Sequence, residues 1–130
     1  MEKGVAAIIE NYNGKFLLHL RNSKAKTMKN QYCLIGGSAK DSESATDALK
    51  REVQEETNLN ILKLKFFKEF RFNKKNISIY SGKVDTRKNK LIKREGRDML
   101  FLSLENIEKL LNSLDYTNKY LDALKEYLKL

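Results

Sequence analysis

Residues Gly36 to Leu59 read GGSAKDSESATDALKREVQEETNL, and the spacing within this stretch decides the rest of the reading. Ser44 followed by Asp47 three positions on is a variant of the capping box, a helix start signal. Ala45, Ala48 and Leu49 then make a narrow apolar stripe at helical spacing, flanked by Val53. Continued along the helix, that stripe runs into Glu52, Glu55 and Glu56, spaced i, i+3 and i+4 on one face. A solvated acidic face belongs on the back of an amphipathic helix, yet these carboxylates continue its core side. They also lie toward the C-terminal end, where the helix dipole disfavours each negative charge by about 0.3–1 kcal/mol. Glu52 and Glu56 repel as an i, i+4 pair, and Arg51 alone cannot neutralise three acids. An oxygen-only cluster of this kind suits a hard divalent cation, Mg²⁺ or Mn²⁺, better than zinc.

Working outward, Val5–Glu10 reads as a strand, Asn13-Gly14 as a hairpin turn and Phe16–Leu20 as the returning strand. Ser23–Asn30 is a polar, basic loop, and Tyr32–Ile35 a short apolar run ending at Gly36-Gly37. Beyond the helix, Leu62, Leu64, Phe66, Phe70 and Phe72 alternate with charged residues, with one slip at Phe66-Phe67 that predicts a bulge. Asn73–Asn76 is a turn, Ile77–Val84 pairs back, Leu91-Ile92 is a candidate short strand, and Met99–Leu102 is the last strand. Ile107, Leu110, Leu111 and Leu114, then Tyr120, Leu121, Leu124 and Leu128, describe two amphipathic helices. The order β-β-β-α-β-β-β-α-α predicts an α+β fold with a mixed sheet between helices.

The 130 residues contain no proline, repeat or low-complexity segment, which predicts one domain over residues 1–130. A hydrophobic fraction of 41% with six Phe and six Tyr excludes a disordered chain. No apolar run is long enough to cross a membrane as a helix, and the first apolar run is too short for a signal peptide. One cysteine, Cys33, and one histidine, His19, exclude an internal disulfide and a Cys/His zinc site. A cytoplasmic location is the expectation. The net charge of +9 is uneven, because Lys40–Leu59 carries six acids against three bases. An acidic island in a basic chain points to a cation site within a surface that attracts polyanions. Twenty lysines with twelve Asn and eight Ile also fit an A/T-rich coding sequence, in which surface lysines need no ligand.

The spacing of Gly37, Glu43, Arg51-Glu52-Val53-Gln54-Glu55-Glu56 and Leu59 resembles the Nudix box, G-x5-E-x7-R-E-U-x-E-E-x-G-U with U apolar. Six fixed polar or glycine positions recur by chance in roughly one chain in a hundred thousand. The hairpin Asn11–Arg21, the run Tyr32–Gly37 and the stretch Asp98–Ile107 extend the likeness over most of the chain. Two departures stand out. The last glycine of the box is Asn58, the next most tolerant residue for a left-handed helix stop. The proline frequent before the double glycine is Ile35, and the aromatic at 32 is Tyr.

The resemblance implies a Nudix-type α/β/α sandwich with a central mixed β-sheet. It also implies hydrolysis of a nucleoside diphosphate linked to a further group, with Mg²⁺ or Mn²⁺. By resemblance Glu52, Glu55 and Glu56 are metal ligands with the Gly37 carbonyl, Arg51 orients the glutamates, and Glu43 supports the loop before the helix. Asp98, with Glu95 as the alternative, matches an acid that assists as base or ligand just before a late strand. Arg21 is a candidate phosphate contact. Asn118 is either a base-reading residue, as in MutT-type enzymes, or simply a helix cap. Cys33 reads as a small core residue, and His19 as a strand residue facing solvent. The expected reaction takes a (deoxy)nucleoside triphosphate to monophosphate and pyrophosphate. The alternatives are a dinucleoside polyphosphate or RNA 5′-end substrate, suggested by Lys74-Lys75 and Arg87–Arg97, and a non-catalytic nucleotide- or RNA-binding module.

Overall fold

The computed structural model describes residues 2–92 and 98–130. At its centre is β1 (Glu2–Asn11), whose continuous apolar run Val5–Ile9 is buried on both faces. Such a run belongs to a strand covered from both sides, and β1 meets that condition. It pairs in parallel along its whole length with β6 (Lys75–Val84), which in turn pairs antiparallel with the outer strand β5 (Leu62–Phe72). The other edge of β1 is shared. Gly4–Ala7 pairs with β4 (Ile35–Ser38), and Glu10 meets Phe16 at the start of β2 (Phe16–Leu20). β2 continues into pairs with β3 (Tyr32–Cys33) and β7 (Asp98–Leu102). The apolar run Tyr32–Ile35 is therefore two strands parted at Leu34, because its halves pair with different partners.

Local chemistry explains the connections. Asn11 is buried, and its Oδ1 accepts from the N–H groups of Asn13 at 2.9 Å and Lys15 at 3.0 Å, while Gly14 takes a positive φ. β5 carries the slip expected at Phe66-Phe67 as a bulge between Phe66 and Lys68, and a second irregularity between Leu62 and Lys65. Leu91-Ile92 is not a strand. Ile92 donates its N–H to the Thr57 carbonyl at 3.0 Å, which ties this segment to the end of the preceding helix.

That helix, α1 (Ala45–Thr57), covers one face of the sheet. Ala48, Leu49 and Val53 are fully buried against Val5, Ala7 and Ile35. Ser44 caps it by accepting from the Asp47 N–H at 3.1 Å. Asn58 ends it at φ 66°, the left-handed stop expected of this position. The opposite face is covered by α2 (Leu104–Ser113) and α3 (Lys119–Leu128), which bury Ile107, Leu111, Leu121 and Leu124 against Ala6, Ile8 and Ile79. The architecture is thus an α+β sandwich, with one helix and two helices on either side of a mixed sheet. No helix among the described residues is long and apolar enough to cross a membrane.

His19 departs from expectation. It is only 5% exposed, with Nδ1 3.8 Å from Cys33 Sγ. β2 lies between β1, β3 and β7 and is covered on both faces, so alternation does not send a side chain to water there. Cys33 is buried, as expected of a small core residue.

Candidate active site

The site grows from the pairing of β4 with β1, which lays Gly36-Gly37 against α1. A Cβ at Gly37 would stand 2.6 Å from both carboxylate oxygens of Glu52, so only glycine lets this backbone approach the carboxylate. A Cβ at Gly36 would stand 2.8 Å from the Ala6 Cα, inside the neighbouring strand. The two glycines therefore serve different neighbours, one a carboxylate and the other the sheet.

Arg51 organises the acids. Its Nε and Nη2 donate to the two oxygens of Glu43 at 2.9 and 3.0 Å, a two-pronged pairing that fixes the guanidinium plane. Nη2 also donates to the Ser38 carbonyl at 3.1 Å, and Nη1 to Glu52 Oε1 at 3.0 Å and Glu55 Oε2 at 3.4 Å. Glu43 Oε1 accepts in addition from the Lys40 N–H at 2.9 Å, which closes the loop ahead of α1. The Arg51 hydrogen bonds first, and the Lys40 N–H after them, hold the Glu43 carboxyl down to about 2. Glu43 in turn raises the Arg51 guanidinium further above its ordinary value.

The three helix glutamates are graded in exposure. The Glu52 side chain is 16% exposed, Glu56 is half-buried with Oε2 shielded from solvent, and the Glu55 side chain is 56% exposed. Among the described residues, no three His, Cys, Asp or Glu side chains are drawn together into a metal-holding group. The sequence reading has them crowded at one point. The structure instead inserts Arg51 Nη1 between Glu52 and Glu55, which relieves their repulsion. The donor chemistry nevertheless fits a hard divalent cation. Glu52, Glu55 and Glu56 offer only oxygen, and Glu52 is pressed against the Gly37 backbone.

A cleft of about 300 Å³ opens on these glycines. Arg21, Cys33, Phe72, Lys75 and Tyr120 are among its lining residues, together with Gly36 and Gly37. Arg21 follows β2 and is tied to the 22–31 loop, its Nε donating to the Thr27 carbonyl at 3.0 Å. Lys75 opens β6 and reaches Ser38 Oγ at 2.8 Å, so Ser38 takes Lys75 on its hydroxyl and Arg51 on its carbonyl. Tyr120 packs edge-on to Phe70 and Phe72. Burial, with Cys33 nearby, pushes its hydroxyl up to about 12 against the opposing pull of Arg21.

Two candidates from the sequence lie apart from this arrangement. Asp98 is exposed at the head of β7, opposite Leu20, and takes no part in the Arg51 network. Glu95 lies outside the described residues. Asn118 caps α3 through Oδ1, which accepts from the Leu121 N–H at 2.9 Å. Its Nδ2 donates to the Tyr32 carbonyl at 3.0 Å and to Gln31 Oε1 at 3.2 Å, so both amide hydrogens are committed to the scaffold. The cap, rather than donation to a base edge, is what this geometry supports. Tyr120 and Ser38 are the site residues that sequence reasoning missed. Tyr120 reads as one more apolar position of a helix, and only the proximity of α3 to β3 turns it toward the cleft.

Comparison with known proteins gives the family and the fold. The NUDIX domain model matches residues 2–121. An 8-oxo-dGTP diphosphatase of Buchnera aphidicola is 31% identical over 88 residues, 64% of this chain and 68% of the relative. Among solved structures, a MutT from work on Aliivibrio salmonicida and Vibrio cholerae superposes with a TM-score of 0.76 at 19% identity, covering 98% of this chain and 95% of that one. The MutT protein of Methanosarcina mazei gives a TM-score of 0.73 at 22% identity, covering 98% and 92%. At those identities the structural likeness speaks for the fold alone. The family match over most of the chain, with a diphosphatase among its relatives, makes this a hydrolase of pyrophosphate bonds. The chain belongs to the Nudix family, whose hydrolases use divalent metal ions.

Proposed function

We propose that the protein hydrolyses a nucleoside triphosphate to the monophosphate and pyrophosphate in the presence of Mg²⁺ or Mn²⁺. The observation that carries this reading is the contact of Glu52 with the Gly37 backbone, at the point where the cleft opens on the same glycines. Phosphoanhydride and carboxylates repel unless a cation lies between them, and a polyphosphate seated in this cleft would lie next to oxygen ligands. Glu52, Glu55, Glu56 and the Gly37 carbonyl would hold the ion. When bound, it would offset charge on the phosphate oxygens and acidify a water.

The chain's own residues then have distinct tasks. Arg51 fixes Glu52 and Glu55 through Nη1 and anchors them to Glu43 and to the Ser38 carbonyl. Glu43, ionised because Arg51 and Lys40 stabilise its charged form, works as a brace and not as an acid. Glu52 and Glu55 are the acceptors available to a proton released from attacking water, with Asp98 a further candidate on the β7 side. Arg21 contributes a fixed positive charge to the cleft wall, suited to phosphate or to an electron-rich base edge.

The name of the Buchnera relative makes 8-oxo-dGTP the first substrate to try, alongside the four ordinary deoxynucleotides. The test is product analysis with Mg²⁺ and with Mn²⁺. Release of pyrophosphate and monophosphate is expected, and stepwise release of orthophosphate would overturn the proposal.

A further inference from the structure

Bases from three segments, 21–31, 71–76 and 117–121, gather around the cleft, and three of them, Arg21, Lys26 and Lys75, line it. Lys75 is the one joined to the glutamate cluster. Its Nζ donates to Ser38 Oγ at 2.8 Å, and Ser38 follows Gly37, whose backbone is pressed against Glu52. The Ser38 carbonyl accepts from Arg51, which also bonds Glu52 and Glu55. Along β4, successive side chains point to opposite faces. Position 37 faces Glu52, so Ser38 turns its hydroxyl, and Lys75 with it, to the other face of the strand. Carboxylates and ammonium therefore flank the same stretch of backbone from two sides.

The other partner of Lys75 explains little of this placement. Glu2 Oε2 is 3.7 Å away on a side chain that is 73% exposed, and such pairs stabilise weakly. An ammonium has three N–H donors, and Ser38 takes one of them. Holding a half-buried lysine in one rotamer costs side-chain entropy, which an anion in the cleft would offset. The strand path sets the order of groups along the cleft. Arg21 donates its N–H to the Gln31 carbonyl, and β3 and β4 then carry the chain past Gly36 and Gly37 to Ser38. Arg21 and Lys75 thus mark opposite ends, with the Gly37–Glu52 contact between them and next to Ser38. Tyr120, whose hydroxyl feels the Arg21 charge, belongs to the Arg21 end. A nucleoside suits that end, which leaves the far end of a phosphate chain at Lys75.

We propose that Lys75 is a specificity-determining residue, whose ammonium, set in place by Ser38, binds the outer phosphates of the substrate and so ranks substrates by the charge beyond the bond that is cut. The proposal rests on the triphosphate reading of the cleft. A divalent ion offsets only part of the charge of a triphosphate, and Lys75 supplies a positive charge from the face of β4 opposite the glutamates.

The experiment titrates inorganic pyrophosphate and dGMP separately into the protein by calorimetry with Mg²⁺, and measures KM for dGTP. The proteins compared are wild type, Lys75→Met, Lys75→Arg, Ser38→Ala and Lys83→Met. Lys83 is near the other end of β6, so its variant removes one charge from the same strand without touching the cleft. Lys75→Met should weaken pyrophosphate at least about tenfold, leave dGMP within about twofold, and raise KM for dGTP by a similar factor. Lys75→Arg should fall between Lys75→Met and wild type. Ser38→Ala, which loosens the lysine and keeps its charge, should weaken pyrophosphate about threefold. Lys83→Met should match the wild type. Unchanged pyrophosphate affinity in Lys75→Met, equal losses for pyrophosphate and dGMP, an equal loss in Lys83→Met, or no pyrophosphate binding by the wild type would each overturn the proposal. A lower Tm with both affinities intact would make Lys75 a strut between β1 and β6 and would overturn it too. If pyrophosphate binds as expected and dGTP is not hydrolysed, the proposed reaction falls and the role of Lys75 stands, because calorimetry reads binding without turnover.

Discussion

Two charged regions of this molecule are built on opposite principles. On α1 and in the loop before it, acids are tied down by one base: Arg51 alone bonds Glu43, Glu52, Glu55 and a strand carbonyl. Around the cleft, bases gather from three separate segments with a single carboxylate, Glu2, within ion-pair reach among the described residues. The difference lies in how each repulsion is relieved. The acidic cluster carries its own counter-ion inside the fold, whereas the basic rim leaves its charge to solvent and ligands. A guanidinium gripped by several carboxylates sets their geometry, whereas bases with a single carboxylate in reach mainly set attraction.

The largest effect expected from breaking this contrast is at the helix. Glu55→Gln or Glu56→Gln should lower triphosphate turnover at least about a hundredfold while circular dichroism stays unchanged. Full activity in either variant would remove that residue from the mechanism. Arg51→Lys comes next, since it keeps the charge and loses the fork that grips Glu43. A drop of about 10–100-fold in apparent Mg²⁺ affinity is expected, read from metal titrations of turnover. A lysine that performs as well would mean that charge alone holds the glutamates.

The pH dependence sharpens the same comparison. The folded-state pKa of Glu43, about 2, lies below its ordinary 4.5. Its contribution to stability is therefore full above about 4.5 and is lost as pH falls from there toward 2. Glu43→Gln should consequently lower Tm at neutral pH, and the gap to the wild type should close over that window. A gap that is flat with pH would mean that the brace acts through packing and not through charge. The smallest effect is expected at Asn58, at φ 66°. Asn58→Gly should change stability by under about 0.5 kcal/mol, and Asn58→Ala should cost about 1 kcal/mol, measured by denaturant unfolding.

Much of the molecule was legible in the chain because its signals are local. Ser44 with Asp47 marks the start of α1, Asn58 its end, and the 3.6-residue period brings Glu52, Glu55 and Glu56 to one flank. Asn13-Gly14 marks the hairpin turn, where Gly14 takes a positive φ, and the broken alternation at Phe66-Phe67 encodes a bulge. Other features failed to show because their cause lies far away in sequence. The burial of His19 depends on β2 being enclosed by three other strands. The commitment of the Asn118 amide depends on β3, more than eighty residues earlier.

The sequence by itself determined which residues form the helix, the hairpin and the acidic cluster, and with them the family, because neighbours within a few positions impose those choices. Tertiary structure alone decided that Gly37 meets Glu52, that Arg51 reaches the Ser38 carbonyl, and that three unrelated basic segments surround one cleft. Those contacts depend on which strands pair, and pairing is settled by burying both faces of the sheet together.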